Sequence, residues 1–324
     1  MNNKIISLFA GVGGIDLAFE RAGFETIYAN EIDKNARETF KLNFPNVELD
    51  PRDIREVKKK DLPKDVDIVI SGFPCQSFSI AGYRKGLEDE ENGDLFFETL
   101  RIAKAVDAEI IFLENVKNLV GHDNGKTFSI IIEALEANGY HVKYQILNAK
   151  DFGNVAQNRE RIYIVAFKNI DYFENFYFPE PIELTRSIRD FIEFDKEQDN
   201  KYYYNETFKQ YDELVKDMDD PDAIYQWRRK YVRKNKSGVC PTLTANMGTG
   251  GHNVPLIITD DGRFRKLTPR ETFNLQGFPK DFKLPDLAIS HLYKQAGNSV
   301  VVDVVERIAK NIKKSMESLQ LSFW

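Results

Sequence analysis

Short apolar runs and amphipathic stretches alternate along the first half of the chain. Ile5–Phe9, Thr26–Ala29, Asp67–Ser71, Glu109–Leu113, Val142–Leu147 and Ile162–Phe167 are apolar runs of strand length, and Val47–Leu49 is a weaker one. Between them apolar residues recur at helical spacing, as in Ile15, Leu17, Ala18 and Phe19, or Phe96, Leu100, Ile102 and Ala103. Nearly continuous apolar strands separated by helices predict an α/β domain: a doubly wound, mostly parallel sheet covered on both faces. The pattern breaks at Phe178-Pro179-Glu180-Pro181. From there to about Leu287 the chain is tyrosine-rich, charged and irregular, which predicts a second, smaller domain. After Pro285 a helical face returns through Val300, Val301, Val304, Val305, Ile308 and Ile312.

Composition sharpens this picture. The chain has 324 residues, enough for about two domains, with 42% hydrophobic and 30% charged residues, an ordinary globular mixture. Only 2 cysteines are present, which excludes a disulfide scaffold and predicts a reducing, intracellular setting. No apolar run approaches the ~18–20 residues that span a bilayer. The net charge is -6, so binding to nucleic acid has to rest on a local basic patch. One exists: Trp227 to Lys236 holds Arg228, Arg229, Lys230, Arg233 and Lys234 without an acid, interleaved with aromatics. The acid-rich stretch Glu193–Asp222 beside it has the character of a solvent-facing insertion. The 4 histidines and 2 cysteines show no metal-ligand spacing, so no metal is expected.

In open α/β sheets ligands bind beyond the carboxyl ends of the strands. The residues there are unusual. The first strand runs into Phe9-Ala10-Gly11-Val12-Gly13-Gly14, a loop whose backbone can approach a ligand closely. The second ends at Asn30-Glu31-Ile32, where an acid can hold ribose hydroxyls. Asp53-Ile54 follows the weak strand, and Asp53 is placed to accept from an adenine amine. Asp16 stands where a dinucleotide fingerprint needs glycine, which counts against nicotinamide and suits an adenosine ligand without pyrophosphate, such as S-adenosylmethionine. Gly72-Phe73-Pro74-Cys75 ends the next strand; Cys75 reads either as a nucleophile favoured at a loop start or as an inert small hydrophobe. Glu114 closes the apolar run Ile110–Leu113 at a position partly withdrawn from water, which suits proton donation. Arg159 and Arg161, two apart, share one face of an extended segment and suit a phosphate or a polarised carbonyl; a solvated pair is the plain alternative. Cys240 reads as simple packing.

Taken in order, these segments resemble the motif set of the bacterial cytosine-5 DNA methyltransferases of restriction-modification type. Phe9–Gly14 resembles the family's cofactor loop, Gly72-Phe73-Pro74-Cys75-Gln76-Ser77-Phe78-Ser79 its nucleophile loop, Glu114-Asn115-Val116 its glutamate motif and Gln157–Arg161 its Gln-x-Arg-x-Arg motif. Arg265–Glu271 and Gln276-Gly277-Phe278-Pro279 resemble the end of the recognition domain, and Gln295-Ala296-Gly297-Asn298-Ser299-Val300 the last motif. The Cys-Phe-Thr signature of the tRNA-methylating branch is not found.

The resemblance implies a Rossmann-like S-adenosylmethionine-dependent methyltransferase domain over 1–193 plus 288–324 and a target-recognition domain over 194–287. It implies that Cys75 attacks C6 of a flipped-out cytosine, that Glu114 works at N3, that Arg161 holds O2 and that Arg159 steadies the thiol region. The cofactor, released as S-adenosylhomocysteine, would be held by Phe9, Ala10, Gly11, Val12, Gly14, Asn30, Glu31, Ile32, Asp53, Ile54, Gly72, Pro74, Leu95, Asn298, Ser299 and Val300. Double-stranded DNA would meet Ser79, Arg84 and Lys85 on a lid over Ser77–Gly86, Arg228, Arg229 and Arg233 in the basic patch, and Thr242, Thr244, Gly250 and Gly251 in a base-reading stretch. Gln226 is a candidate, by position, to fill the space the cytosine leaves. A monomer in the bacterial cytoplasm, close to the nucleoid, follows, with a cognate restriction endonuclease acting on the same site. A nicotinamide oxidoreductase, a silent DNA-binding relative and an RNA-directed enzyme are the competing readings.

Overall fold

The structure, a computed structural model, describes residues 2–74, 95–228, 231–249 and 254–317. Compactness divides the chain into two units: Met1–Leu147 with Glu160–Glu180 and Val304–Trp324, and Asn148–Arg159 with Pro181–Asp303. The sequence boundary at 194–287 follows composition and motif order instead.

In the first unit the strands are β1 (Lys4–Leu8), β2 (Glu25–Asn30), β3 (Glu48–Asp50), β4 (Ile68–Ser71), β5 (Ile110–Val116), β6 (His141–Asn148) and β8 (Glu160–Phe167); the short β7 (Gln157–Asn158) between the last two belongs to the second unit. They form a seven-stranded sheet in the order β3-β2-β1-β4-β5-β8-β6. β1 pairs parallel with both β2 and β4, and β4 with β5, while β5 and β8 are antiparallel. The chain therefore leaves β1 toward one edge and returns on its other side at β4. That reversal leaves a crevice at the carboxyl end of β1, as the apolar pattern predicted. The strands are buried on both sides: Ile5, Ile6, Ile68, Val69, Ile70 and Ile110 to Leu113 are all sealed from water. Glu114 does not end its strand, because β5 continues through Val116 opposite Arg161. The final helix spans Val302–Glu317, so Val300 and Val301 precede it, though both are buried.

The second unit contains β9 (Tyr203–Tyr204), β10 (Tyr225–Arg228), β11 (Tyr231–Lys234), β12 (Cys240–Pro241), β13 (Leu256–Ile258) and β14 (Phe264–Lys266). Five of these form an antiparallel sheet ordered β11-β10-β13-β14-β9. Tyr225, Trp227, Val232 and Leu256 pack with Leu214 and Met218 into its core. β12 pairs instead with β7, Cys240 opposite Gln157. Cys240 is fully buried, and burial pushes its thiol well above the ordinary range, consistent with packing rather than reactivity.

Gly297 approaches the backbone of the 244–245 peptide so closely that a Cβ there would lie 2.2 Å from the Thr244 carbonyl carbon and oxygen and 2.5 Å from the Ala245 nitrogen. Backbone cannot yield as a side-chain tip does. Gly297→Ala is therefore expected to destabilise the protein by about 1–3 kcal/mol in denaturant titrations, the usual cost of overpacking. Gly121→Ala, where a Cβ meets nothing within 4 Å, is the control and should melt like wild type.

Asp16 supplies a second prediction. It is fully buried, accepts a bond from Ser7 Oγ at 3.0 Å, and burial pushes its carboxyl up to about 7. Between the unfolded value near 4 and 7 the native state holds a proton that the unfolded chain has lost. Stability from this group is thus complete below about pH 4, falls as pH rises to 7, and is level beyond, a span on the order of 4 kcal/mol. Asp16→Asn should gain on wild type in denaturant stability between pH 5 and pH 8. An equal gap at both would remove the linkage.

Candidate active site and recognition groove

The glycine loop follows β1 directly. Phe9, Gly11 and Gly13 all take left-handed backbone, with φ of 54, 57 and 87°. At Gly13 the need is doubled, because a Cβ would enter the Phe44 ring at 2.2 Å. At Gly11 a Cβ would meet nothing, so the loop presents open backbone. Ala10 donates to the Asn30 carbonyl at 3.1 Å, joining the loop to the end of β2. Gly14 opens the helix Gly14–Arg21, and Val12 is buried beneath the loop.

Glu31 stands just past β2. Its two oxygens accept from Gly11 N at 2.8 Å and Asp33 N at 2.7 Å. Burial pushes its carboxyl up, and these two N–H groups pull against that. The carboxylate is thereby aimed across the loop with lone pairs to spare. Ile32 beside it is 62% exposed, an apolar face left in water. Asn30 is buried, its amide donating to the carbonyls of Asp50 and Arg52. Arg101 holds the next segment by donating to the carbonyls of Ile54 and Val57 at 2.9 Å each. Ile54 is buried. Asp53 caps this turn and is bonded on both oxygens to Arg55, so an adenine amine would have to share it. Leu95, at the start of the helix Leu95–Ala105, and Phe9 both pack against the core cluster. An apolar face, a carboxylate and bare backbone around one crevice fit an adenosine-bearing ligand.

The neighbouring strand ends build the other half of this site. Asn115 Nδ2 donates to the Phe73 carbonyl at 2.8 Å, tying the end of β5 to the segment after β4. Where Gly72 lacks a side chain, a Cβ would lie 3.9 Å from Glu114 Oε2. Glu114 Oε1 is 3.2 Å from Arg161 Nε, and both side chains are largely buried. Arg161 also donates to the Glu160 carbonyl at 2.8 Å. Pro74 is exposed beyond them. Cys75, Ser79, Arg84 and Lys85, with the Ser77–Gly86 segment, lie outside the described residues, as do Arg229, Gly250 and Gly251.

Arg159 and Arg161 meet different partners. Arg159 is buried in the second unit. It donates to the carbonyls of Leu243 at 2.7 Å, Gly297 at 3.1 Å and Ser299 at 2.5 Å. Gln157 lies beside it: its amide donates to the Leu275 carbonyl at 2.6 Å and accepts from Leu243 N at 3.1 Å. Gln276 donates to the Ala296 carbonyl. Both glutamines open motifs read from the sequence, but their partners lie in distant segments that local sequence does not reveal. Within the last motif Asn298 is exposed, while Ser299 and Val300 are buried.

The second unit also holds a polar groove of about 400 Å³. Gln226, Arg228 and Arg233 form one wall, and Asn158, Thr242 and Thr244 belong to another. Thr242 Oγ1 donates to the Asn158 carbonyl at 2.6 Å, and Thr244 Oγ1 to Asn246 Oδ1 at 2.6 Å. Lys234, from the same basic patch, is paired with Asp220 at 2.8 Å and Asp219 at 3.3 Å. The acid-rich stretch is therefore in part a counter-charge for neighbouring cations. Among the described residues no group of three His, Cys, Asp or Glu is placed to hold a metal ion, and no helix is long and apolar enough to cross a membrane.

Comparison with known proteins meets this geometry. The family model for C-5 cytosine-specific DNA methylase matches residues 3–314. The chain is 64% identical over 315 residues to the Type II methyltransferase M.Bsp6I of Bacillus sp. (strain RFL6), covering 97% of this chain and 99% of that protein. It is 37% identical over 326 residues to the Type II methyltransferase M.HhaI of Haemophilus parahaemolyticus, covering 97% and 95%. Among solved structures, the S. pombe Dnmt2 methyltransferase has a TM-score of 0.72 at 21% identity, covering 97% of this chain and 99% of that one, a likeness of fold. A family model spanning nearly the whole length, over an α/β sheet with these groups at its strand ends, places the chain in the C-5 cytosine-specific DNA methylase family.

Proposed function

We propose that this protein is a sequence-specific DNA (cytosine-5)-methyltransferase that methylates C5 of a flipped-out cytosine at the expense of S-adenosylmethionine, through a transient bond between Cys75 and C6. The observation that carries this reading is the buried Glu114–Arg161 pair beside the bare backbone of Gly72, three residues before Cys75. A carboxyl and a guanidinium side by side match N3 and O2 of a cytosine edge.

The chemistry explains the residues. C5 of an intact cytosine is a poor nucleophile. Addition of the Cys75 thiolate forms an S–C6 bond and moves the ring electrons toward C5. Glu114, hydrogen-bonding or protonating N3, stabilises the charge that develops in the ring, and Arg161 holds O2. C5 would then bond to the methyl carbon as the methyl–sulfur bond breaks and its electron pair stays on the departing thioether; a base takes the C5 proton, and the returning electron pair expels Cys75 as thiolate. When bound, the cofactor supplies an electrophilic methyl on a sulfonium. Glu31 would hold its ribose, Ile32 cover the adenine, and Phe9 to Gly11 with Gly72 and Pro74 line its path. Arg159 contributes as a positioning residue through the carbonyls it holds, Ser299 among them. Flipping the cytosine costs about a few kcal/mol in lost stacking.

Residues 194–287 would recognise the target. The names of the curated relatives, Type II methyltransferases, support a role in protecting DNA beside an endonuclease that reads the same site without stable contact. A monomer in the bacterial cytoplasm, near the nucleoid, suits a reaction in which one flipped base needs one active site.

Incubation with labelled S-adenosylmethionine and unmethylated DNA, followed by bisulfite sequencing, tests the reading. Wild type should leave 5-methylcytosine in one short context. Cys75→Ser should abolish transfer while calorimetry still registers cofactor binding; transfer that survives would refute the covalent route. Glu114→Gln should slow transfer by about 10²–10⁴-fold, the range for a positioned acid. Full rates in that variant would leave Glu114 without a role at N3.

A further inference from the structure

The hairpin β10–β11 divides its side chains cleanly. Tyr225, Trp227 and Val232 face the core of the second unit. Gln226 and Arg228, two apart on β10, point the opposite way. Arg233 sits directly across from Gln226 in the antiparallel register and shares that face. Gln226 Oε1 accepts from Arg233 at 3.0 Å and from Arg228 at 3.3 Å. Two cations are thus gathered on one neutral oxygen.

Three other arginines of this unit are matched with carboxylates, while Arg159 and Arg270 are turned to backbone carbonyls. Arg189 is paired with Asp222 and Asp260, Arg263 with Glu197 and Asp261, and Arg265 with Glu271. Among the described residues neither Arg228 nor Arg233 meets a carboxylate, and no acid lines their groove. The rest of the lining is neutral: amides of Asn158, Asn235 and Asn246, hydroxyls of Thr242 and Thr244. β11 is the edge of its sheet, so the pair forms a two-stranded ribbon open on one side, of the size that enters a major groove.

We propose that Arg228 and Arg233 are guanine readers, each addressing O6 and N7 of a guanine in the major groove, with Gln226 as the residue that holds them in place. This rests on the DNA reading above and deepens it. A phosphate accepts hydrogen bonds from many directions and needs no tether on the cation. A base edge presents two acceptors in one plane, so a guanidinium held by a third group gains in selectivity. The surrounding amides and hydroxyls suit base edges equally.

The test is a randomised duplex pool methylated by wild type, Arg228→Ala and Arg233→Ala, with each 5-methylcytosine and its flanks read by bisulfite sequencing. Both arginines are exposed, so thermal melts should match wild type. Each alanine variant should lose the guanine requirement at one flanking position, discrimination there falling about 5- to 150-fold, while other positions stay selective. Gln226→Ala should relax both positions partially. A uniform loss over all sequences, with the salt slope smaller by about one per arginine, would make these phosphate contacts and overturn the assignment. Unchanged flanks in both variants would overturn it as well. An inactive wild type would instead sink the DNA reading itself, and the guanine assignment with it.

Discussion

A buried guanidinium is the constraint on which the second unit turns. Arg159 is always charged and is nearly sealed from water, so its donors have to be satisfied where they stand. Its two terminal nitrogens donate to carbonyls of Leu243, Gly297 and Ser299, residues far away in the chain. Gln157 and Gln276 extend the same network to Leu275 and Ala296. Four sequence segments can therefore occupy only the arrangement that brings these carbonyls together. Removing the cation would leave several buried acceptors without partners, a loss of about 1–3 kcal/mol for each one stranded. The close passage of Gly297 over Thr244 is the steric counterpart of that electrostatic lock.

The groove is built outward from this node. Thr242 is pinned to the carbonyl of Asn158, the residue between Gln157 and Arg159, so one wall inherits its position from the buried network. The other wall inherits its position from Trp227 and Val232, anchored in the apolar core below the hairpin. Rigid support on both sides is what a surface needs if it is to distinguish base edges rather than follow a charged backbone.

Charge is distributed to the same end. With a net charge of -6 the chain cannot rely on a general attraction for DNA. Its acids are concentrated against cations such as Lys234, Arg189 and Arg263, and these exposed pairs contribute little to stability. Their effect is to remove those cations from competition, leaving Arg228 and Arg233 as positive groups of the groove. In the first unit the carboxylates are held in opposite ways: Glu31 by backbone N–H groups, Glu114 beside a guanidinium. The first arrangement leaves an acceptor pointing into a crevice, and the second sets an acid next to a cation.

The sequence by itself determined the elements of the parallel sheet, because a strand buried on both faces has to be apolar throughout and shows in any window. It also determined the rim. Once β1 is followed by strands on either side, Phe9–Gly14, Glu31, Gly72 and Glu114 have to gather at the carboxyl ends, and their order along the chain matched a known family. Tertiary structure alone decided the rest. β9 to β14 are only two to four residues long, too short for a period to appear. Arg159 and Arg161 look equivalent in sequence, yet one holds distant carbonyls and the other pairs with Glu114. Gln226 reads as a lone polar residue until the hairpin register sets Arg233 opposite it. Periodicity reports which way a side chain faces; the partner of a polar group is set by contacts between segments that local sequence does not encode.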